Sequence, residues 1–210
     1  SGNATGSTGG STGAGGSVAT DCGSAFAVSV TGFVTMPAQG GACWSGYAFT
    51  YVDTYGSKVS PMSPTPGFSM CGPSCVLGIT GMIAAVTGTS YTYEGLGFNL
   101  GDPQSGGGAT HADVTPKGSG LTIAFSNTTP STLPLRVQLL DSTMTTWCYT
   151  VTGGGPSVTI PYASFTQQCY NPTPGTAYAR NPINQIQMQI AGGTTSGTVK
   201  LTIMSVTENP

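Results

Sequence analysis

Gln185-Ile186-Gln187-Met188-Gln189-Ile190 alternates amide and apolar side chains with a period of two. Successive side chains of a β-strand point to opposite faces, so this stretch reads as a strand with one core side and one row of glutamines. Leu135-Arg136-Val137-Gln138-Leu139 and Val199-Lys200-Leu201-Thr202-Ile203 carry the same pattern. The polar positions of the three strands are Arg136, Gln138, Gln185, Gln187, Gln189 and Lys200. Placed side by side, they would line an outer sheet face with amide and cationic groups that can hydrogen-bond sugar hydroxyls.

Apolar alternation and turn residues extend this reading along the chain. Strands are expected at 25–36, 46–52, 75–86, 91–100, 120–127, 135–140, 145–152 and 157–161, followed by the two final strands around 185–190 and 199–203. Tyr47, Phe49 and Tyr51 fall on one side of their strand. Leu96, Phe98 and Leu100 should point inward, leaving Gly95, Gly97 and Asn99 as a bare floor on the other side. Pro61, Pro64 and Pro66 impose a loop, because proline cannot donate to a central ladder. Two glycines, Gly78 and Gly81, suggest a bulge in 75–86, and 162–168 reads as a short helical turn. Turn signals at short, regular spacing with no long helix define an all-β fold, a β-sandwich jelly roll of about ten strands. Residues 1–20 are Gly-, Ser- and Thr-rich and read as a flexible linker or tether, leaving 21–210 as one β-sandwich domain.

Composition narrows the function. Hydrophobic residues make up 38% of the 210, enough for a core. Charged residues make up only 6%, against about 25% in an average soluble domain. Five Lys and Arg residues and a net charge of −2 do not build a phosphate-binding patch, so nucleic acid is not an expected partner. No run approaches the roughly 18 apolar residues of a membrane helix, so no membrane span is expected. Six cysteines in a charge-poor chain point to disulfides and to a secreted or outer-surface location. Cys148 and Cys169 flank a glycine-rich turn and should pair. The other four allow three pairings, of which Cys22–Cys71 with Cys43–Cys75 and Cys22–Cys43 with Cys71–Cys75 are the favoured two.

Catalytic constellations are poorly supplied. A glycosidase needs two carboxylates across a sugar-sized cleft, and the candidates are Glu94 and Asp141, both at strand ends. His111 is the single histidine, with no G-x-S-x-G elbow to serve. Sugar binding is better supplied, because sugars pack their C–H faces on aromatic rings and offer hydroxyls to amides. Tyr93, Trp147 and Tyr149 are the candidate platforms, with Asn99, Arg136, Gln138 and Gln187 as polar partners.

The segments Gly95-Leu96-Gly97-Phe98-Asn99-Leu100, Leu135-Arg136-Val137-Gln138-Leu139, Val158-Thr159-Ile160-Pro161-Tyr162 with Phe165, and Ile186-Gln187-Met188-Gln189-Ile190 carry a resemblance. In this order they resemble the galactose-binding-like jelly-roll carbohydrate-binding modules of secreted soil-bacterial polysaccharide-degrading proteins. That resemblance implies non-catalytic binding of plant cell-wall polysaccharide of the β-glucan or xylan type. It also leaves open a structural calcium, which family members hold with adjacent acids on the last strand. Here that strand has Glu208 alone, so Asp53 and Glu208 are the remaining ligand candidates, and no other cofactor is expected. Two rival functions stand beside binding. One is a structural subunit of an extracellular fibre or surface layer, self-assembling through the N-terminal tail. The other is a glycoside-active enzyme.

Overall fold

The structure is a computed structural model that describes residues 22–29, 31–60, 76–102, 112–130, 132–152 and 155–210. Its strands are β1 (Ala27–Val28), β2 (Phe33–Ala38), β3 (Ala42–Val52), β4 (Lys58–Ser60), β5 (Leu77–Ile83), β6 (Tyr93–Asn99), β7 (Gly120–Asn127), β8 (Leu135–Leu140), β9 (Thr146–Thr150), β10 (Ser157–Pro161), β11 (Gln185–Ala191) and β12 (Gly197–Asn209). A seven-stranded sheet runs β1-β2-β3-β6-β11-β8-β9, and a five-stranded sheet runs β10-β7-β12-β5-β4. Every strand pair is antiparallel. The chain changes sheets after β3, β5, β6, β7, β9, β10 and β11, which is the wiring of a jelly-roll sandwich.

The two inner faces make the core. The seven-stranded sheet contributes Leu96, Phe98, Val137, Leu139, Ile186 and Met188, and the five-stranded sheet contributes Leu77, Ile79, Leu121, Ile123, Leu201 and Ile203. All are buried, and each such side chain contributes roughly 1.5–3 kcal/mol through removal from water. This parity fixes what the opposite positions do. Because Met188 and Ile190 face inward, Gln187 and Gln189 must face out.

The structure departs from the expected elements in four places. The strand expected over 25–36 is a hairpin, broken where Ser29 N–H bonds the Phe33 carbonyl at 2.8 Å and Gly32 takes φ 78°. Strand β4 spans three residues, too few for a period to show. Strand β5 keeps an unbroken register with β12, and the irregularity falls in β12 instead, between Ile203 and Ser205. Gly81 serves close approach: a Cβ there would strike the Lys58 carbonyl and the Glu94 carboxylate. Finally, Lys200 does not join the glutamine face. Strand β12 belongs to the other sheet, where Lys200 sits exposed opposite Thr80.

Cys22 pairs with Cys43 and Cys148 with Cys169, at Cα separations of 5.4 and 5.5 Å. The alternative of Cys22–Cys71 with Cys43–Cys75 is therefore overturned. Cys71 and Cys75 lie outside the described residues, as do His111, the proline loop with Pro61, Pro64 and Pro66, and the linker 1–20. No helix among the described residues is long and apolar enough to cross a membrane.

Each observed bridge spans 21 residues of sequence, a loop whose closure stabilises by about 3 kcal/mol through restriction of the unfolded chain. Full reduction should lower the calorimetric Tm by on the order of 10 °C, using the slope of a 150–250-residue domain. An unchanged Tm would show that these bridges do not constrain unfolding.

Candidate functional site

The outer face of the seven-stranded sheet carries an unusual run of rings. Tyr47, Phe49 and Tyr51 project from β3, Tyr93 from β6, Tyr91 from just before β6, and Tyr170 from the segment after β10. Ring centroids step from Phe49 to Tyr51 at 6.1 Å, to Tyr93 at 6.0 Å, to Tyr91 at 5.5 Å and to Tyr170 at 6.4 Å. Tyr91 and Tyr170 are the most open, at 43% and 54% exposed. Tilted rings in contact form a ridged apolar strip, and each tyrosine carries a polar hydroxyl at its tip.

Glycines set the height of this strip. Tyr51 Cζ lies 2.5 Å from where a Gly95 Cβ would stand, and Phe49 Cζ lies 3.0 Å from that of Gly97. The expected bare floor is therefore roofed. Missing side chains on β6 let rings from β3 lie across the strand. Alanine at either glycine would lift a ring. The Tyr51 hydroxyl ends buried without a partner, and burial, then the neighbouring Tyr91 and Tyr93, push its ionisation well above the usual range.

Beside the rings runs a hydrogen-bonded polar row. Strand register places Gln187 opposite both Gly97 and Gln138, and Gln189 opposite both Gly95 and Arg136. Gln138 Nε2 donates to Gln189 Oε1 at 3.3 Å, and the Tyr91 hydroxyl donates to the same oxygen at 3.1 Å. Arg136 Nη1 donates to the Tyr91 hydroxyl. Gln187 Nε2 donates to Gln185 Oε1 at 2.7 Å, and Gln185 Nε2 to Asn99 Oδ1 at 3.2 Å. The Arg136 guanidinium carbon lies 5.9 Å from the Tyr91 ring centre and 5.2 Å from that of Tyr170. Burial raises the Tyr91 ionisation, and the Arg136 charge pulls against it. The row is more covered than an open amide surface would be: Arg136 and Gln187 are each 7% exposed and Gln189 6%. The overlying rings are the reason.

The Cys148–Cys169 bridge positions Tyr170. Cys148 stands on β9 opposite Gln138, and Thr166 extends the sheet past it through Cys148 N–H to Thr166 O at 2.8 Å and Thr166 N–H to Cys148 O at 3.0 Å. The chain then turns at Gln168, whose φ is 55°, and the bridge draws Tyr170 back over Arg136.

Of the sequence-derived candidates, the structure brings Tyr93, Asn99, Arg136, Gln138 and Gln187 to this one face. Trp147 and Tyr149 are not with them. They stand opposite Leu139 and Val137, so they share the core parity. Trp147 packs against Tyr178 at 5.0 Å and Tyr149 against Phe165 at 6.3 Å, both beneath the 165–178 segment. Sequence reasoning misses Phe49, Tyr51, Tyr91 and Tyr170 as site residues. Shared parity links Tyr91 to Tyr93 in the sequence, whereas nothing there announces Tyr170.

Neither Asp53 nor Glu208 suits a cation. Glu208 accepts hydrogen bonds from Lys117 N at 2.9 Å, Gly118 N at 2.8 Å, Gln39 N at 2.7 Å and the Tyr162 hydroxyl at 3.0 Å. Asp53 accepts from the backbone N–H groups of Tyr55 and Tyr93. Burial works to raise the Asp53 ionisation, but bonds from Ser57, Tyr93 and Tyr55 outweigh it and hold the carboxyl below its usual range. Calcium wants several free oxygens, and here N–H and O–H donors already claim them. Among the described residues, no three His, Cys, Asp or Glu groups gather to hold a metal ion.

A separate cleft of about 810 Å³ opens between β7, β8 and the 127–134 turn, lined by residues including Phe125, Leu133, Val151 and Met204. Among the described residues that line it, none is charged and none belongs to the polar row.

The molecule is thus an all-β jelly-roll sandwich with an aromatic and amide-lined open face. No family model matches the chain. No curated protein matches it either. Among solved structures it is similar to the family 11 carbohydrate-binding module from Clostridium thermocellum, solved in complex with a beta-1,3-1,4-mixed-linked tetrasaccharide. That likeness has a TM-score of 0.44 and 16% identity, and covers 76% of this chain and 86% of the other.

Proposed function

We propose that the outer face of the seven-stranded sheet binds polysaccharide without cleaving it, as part of a secreted or cell-surface protein. The observation that carries this is the contiguous strip Phe49-Tyr51-Tyr93-Tyr91-Tyr170 lying beside the Arg136, Gln138, Gln187 and Gln189 row. Rings meet the C–H faces of sugars, and amides at their edge meet the hydroxyls. The strip runs across several strands, which suits an extended chain of sugar units. Plant cell-wall β-glucan and xylan are the first polymers to try.

The acids support binding over hydrolysis. Glycoside cleavage uses two carboxyl groups about 5–9 Å apart on either side of the sugar. Glu94 shares the inward parity of Leu96 and Phe98, and Glu208 is enclosed by its four donors. Asp141 holds a turn through Thr143 and Thr145 at 2.9 Å each. No two of these acids flank the strip.

Tyr91→Ala combined with Tyr170→Ala is the direct test. Two lost ring contacts should weaken retention on insoluble polysaccharide about tenfold, at roughly 0.7 kcal/mol each. Tyr91 and Tyr170 are each about half exposed, so the Tm should move by only a few degrees. Undiminished retention by the double variant would remove this face from the reading.

A further inference from the structure

We infer that the polysaccharide taken by this face carries uronic acid carboxylates, and that Arg136 is the group that receives them. The inference deepens the binding function proposed above and rests on it.

Arg136 has the position of a binding group and the surroundings of an incomplete one. It is 7% exposed, so most of its hydration is gone. A buried cation costs several kcal/mol unless an anion and further hydrogen bonds compensate it. Among the described residues its one hydrogen bond goes to the Tyr91 hydroxyl, which is neutral. Its Nε is buried with no partner at all. The described acids that could have served it are engaged elsewhere: Asp53 on backbone N–H groups, Asp113 on Ser142, Asp141 on its own turn, Glu208 on four donors, and Asp102 buried where its backbone bonds Ser45. Glu94 lies on the opposite side of the same sheet.

What Arg136 does have is two ring faces. The guanidinium carbon lies 5.9 Å from the Tyr91 ring centre and 5.2 Å from that of Tyr170, two rings that touch each other on one side of the cation, and both attract it. The Tyr91 hydroxyl takes one of the five guanidinium N–H groups and Nε is covered, so the end-on pair of Nη N–H groups is the valence left. That pair matches a carboxylate, which accepts two parallel N–H bonds at once. A neutral sugar hydroxyl could accept one bond but would leave the charge unmet. The amides alongside already supply what neutral hydroxyls need. Arg136 therefore adds something that a neutral glycan does not use. The protein as a whole is at net charge −2, so the attraction is local to this face and does not come from a general basic surface.

The test uses the full chain and changes the ligand before the protein. Glucuronoxylan and polygalacturonate are each titrated beside their carboxyl-reduced derivatives, in which the acid is converted to a hydroxyl and the backbone is kept. The native form of at least one polymer should bind about tenfold or more tighter than its reduced form, the gain of one charge-assisted bidentate pair. The ratio should shrink with added salt. Arg136→Gln should bring the two forms together, and Arg136→Lys should restore part of the gap by restoring the charge. Equal affinity for native and reduced polymers in the wild-type protein would overturn the inference while leaving polysaccharide binding intact. Failure to bind any of the four, or neutral β-glucan and xylan, would overturn the underlying function as well. The wild-type comparison decides the matter even where an Arg136 variant does not fold.

Discussion

Glu208→Ala is expected to cost roughly 3–5 kcal/mol of unfolding free energy, the cost of leaving several buried donors without an acceptor after partial relaxation. The carboxylate is 1% exposed and accepts four hydrogen bonds from three different segments. Gln39 closes the turn between β2 and β3, Lys117 and Gly118 lead into β7, and Tyr162 follows β10. Gln39 also returns a side-chain bond to the Glu208 carbonyl at 2.9 Å. Removing the carboxylate leaves three backbone N–H groups and a hydroxyl without acceptors, and each buried orphan costs about 1–3 kcal/mol before relaxation. Tyr162 does not adapt by ionising, because burial, the largest cause of its raised pKa, remains in the variant. Gly118 leaves no slack either, since a Cβ there would already strike the Asn209 carbonyl and stand 2.8 Å from Glu208 Cγ. Glu208→Gln should lose less, because it keeps one acceptor oxygen. Urea denaturation with an unchanged m-value is the measurement, and a loss under about 1 kcal/mol for the alanine variant would show that water readily replaces the carboxylate.

That cluster also shows where sequence reading runs out. Glu208 on an otherwise apolar and Thr-rich strand reads as a remnant of a cation site, because acid at that place means metal when neighbouring oxygens converge on it. The structure brings donors to it instead, and they come from residues 39, 117, 118 and 162, a set that no local pattern connects. Local patterns do define the strands themselves. Gly120–Asn127, Leu135–Leu140 and Ser157–Pro161 have the bounds that their alternation and flanking prolines and glycines imply. They succeed because a side chain's face along a strand is set by parity alone.

Parity says that a strand has two faces, but not which one a distant segment will cover. Trp147 and Tyr149 are misplaced by sequence for that reason: the 165–178 segment, fastened by Cys148–Cys169, closes over them. Gly95 and Gly97 read as an empty floor because the rings that fill it arrive from β3, more than forty residues earlier, in a register only the sheet reveals. Tyr170 depends on a disulfide. Glu94 is different. Its inward direction is legible beside Leu96 and Phe98, yet an acid in that position contradicts the expectation that charge faces water.

That contradiction yields the second large effect. Glu94 is fully buried between the sheets, over Gly81 and the Lys58 backbone carbonyl, and neither carboxyl oxygen has a hydrogen-bond partner. Desolvation by burial, and then the nearby Asp53 charge, push its pKa up from 4.5 to about 7. A raised carboxyl pKa means that the folded state binds the proton more tightly than the unfolded state. Stability from this group is therefore fully present below pH 4.5 and lost as pH rises through about 7. The loss is about 3 kcal/mol across that window, since each pH unit between the two values contributes roughly 1.4 kcal/mol. Asp53 works in the opposite sense at lower pH, because its pKa is held down and its contribution disappears as the carboxyl takes a proton. The wild-type optimum should therefore lie on the acid side of neutrality. Glu94→Gln cannot ionise, so it should keep its stability between pH 5 and 8 while the wild type declines. The two proteins should be close at pH 5, and the variant should be the more stable by about 3 kcal/mol at pH 8. Chemical denaturation at both values reads this directly. Parallel pH profiles for the two proteins would mean that a water or a shifted side chain satisfies the Glu94 carboxylate in solution. The strip of rings is on the far side of the sheet, so retention on polysaccharide should be the same for both proteins at pH 6.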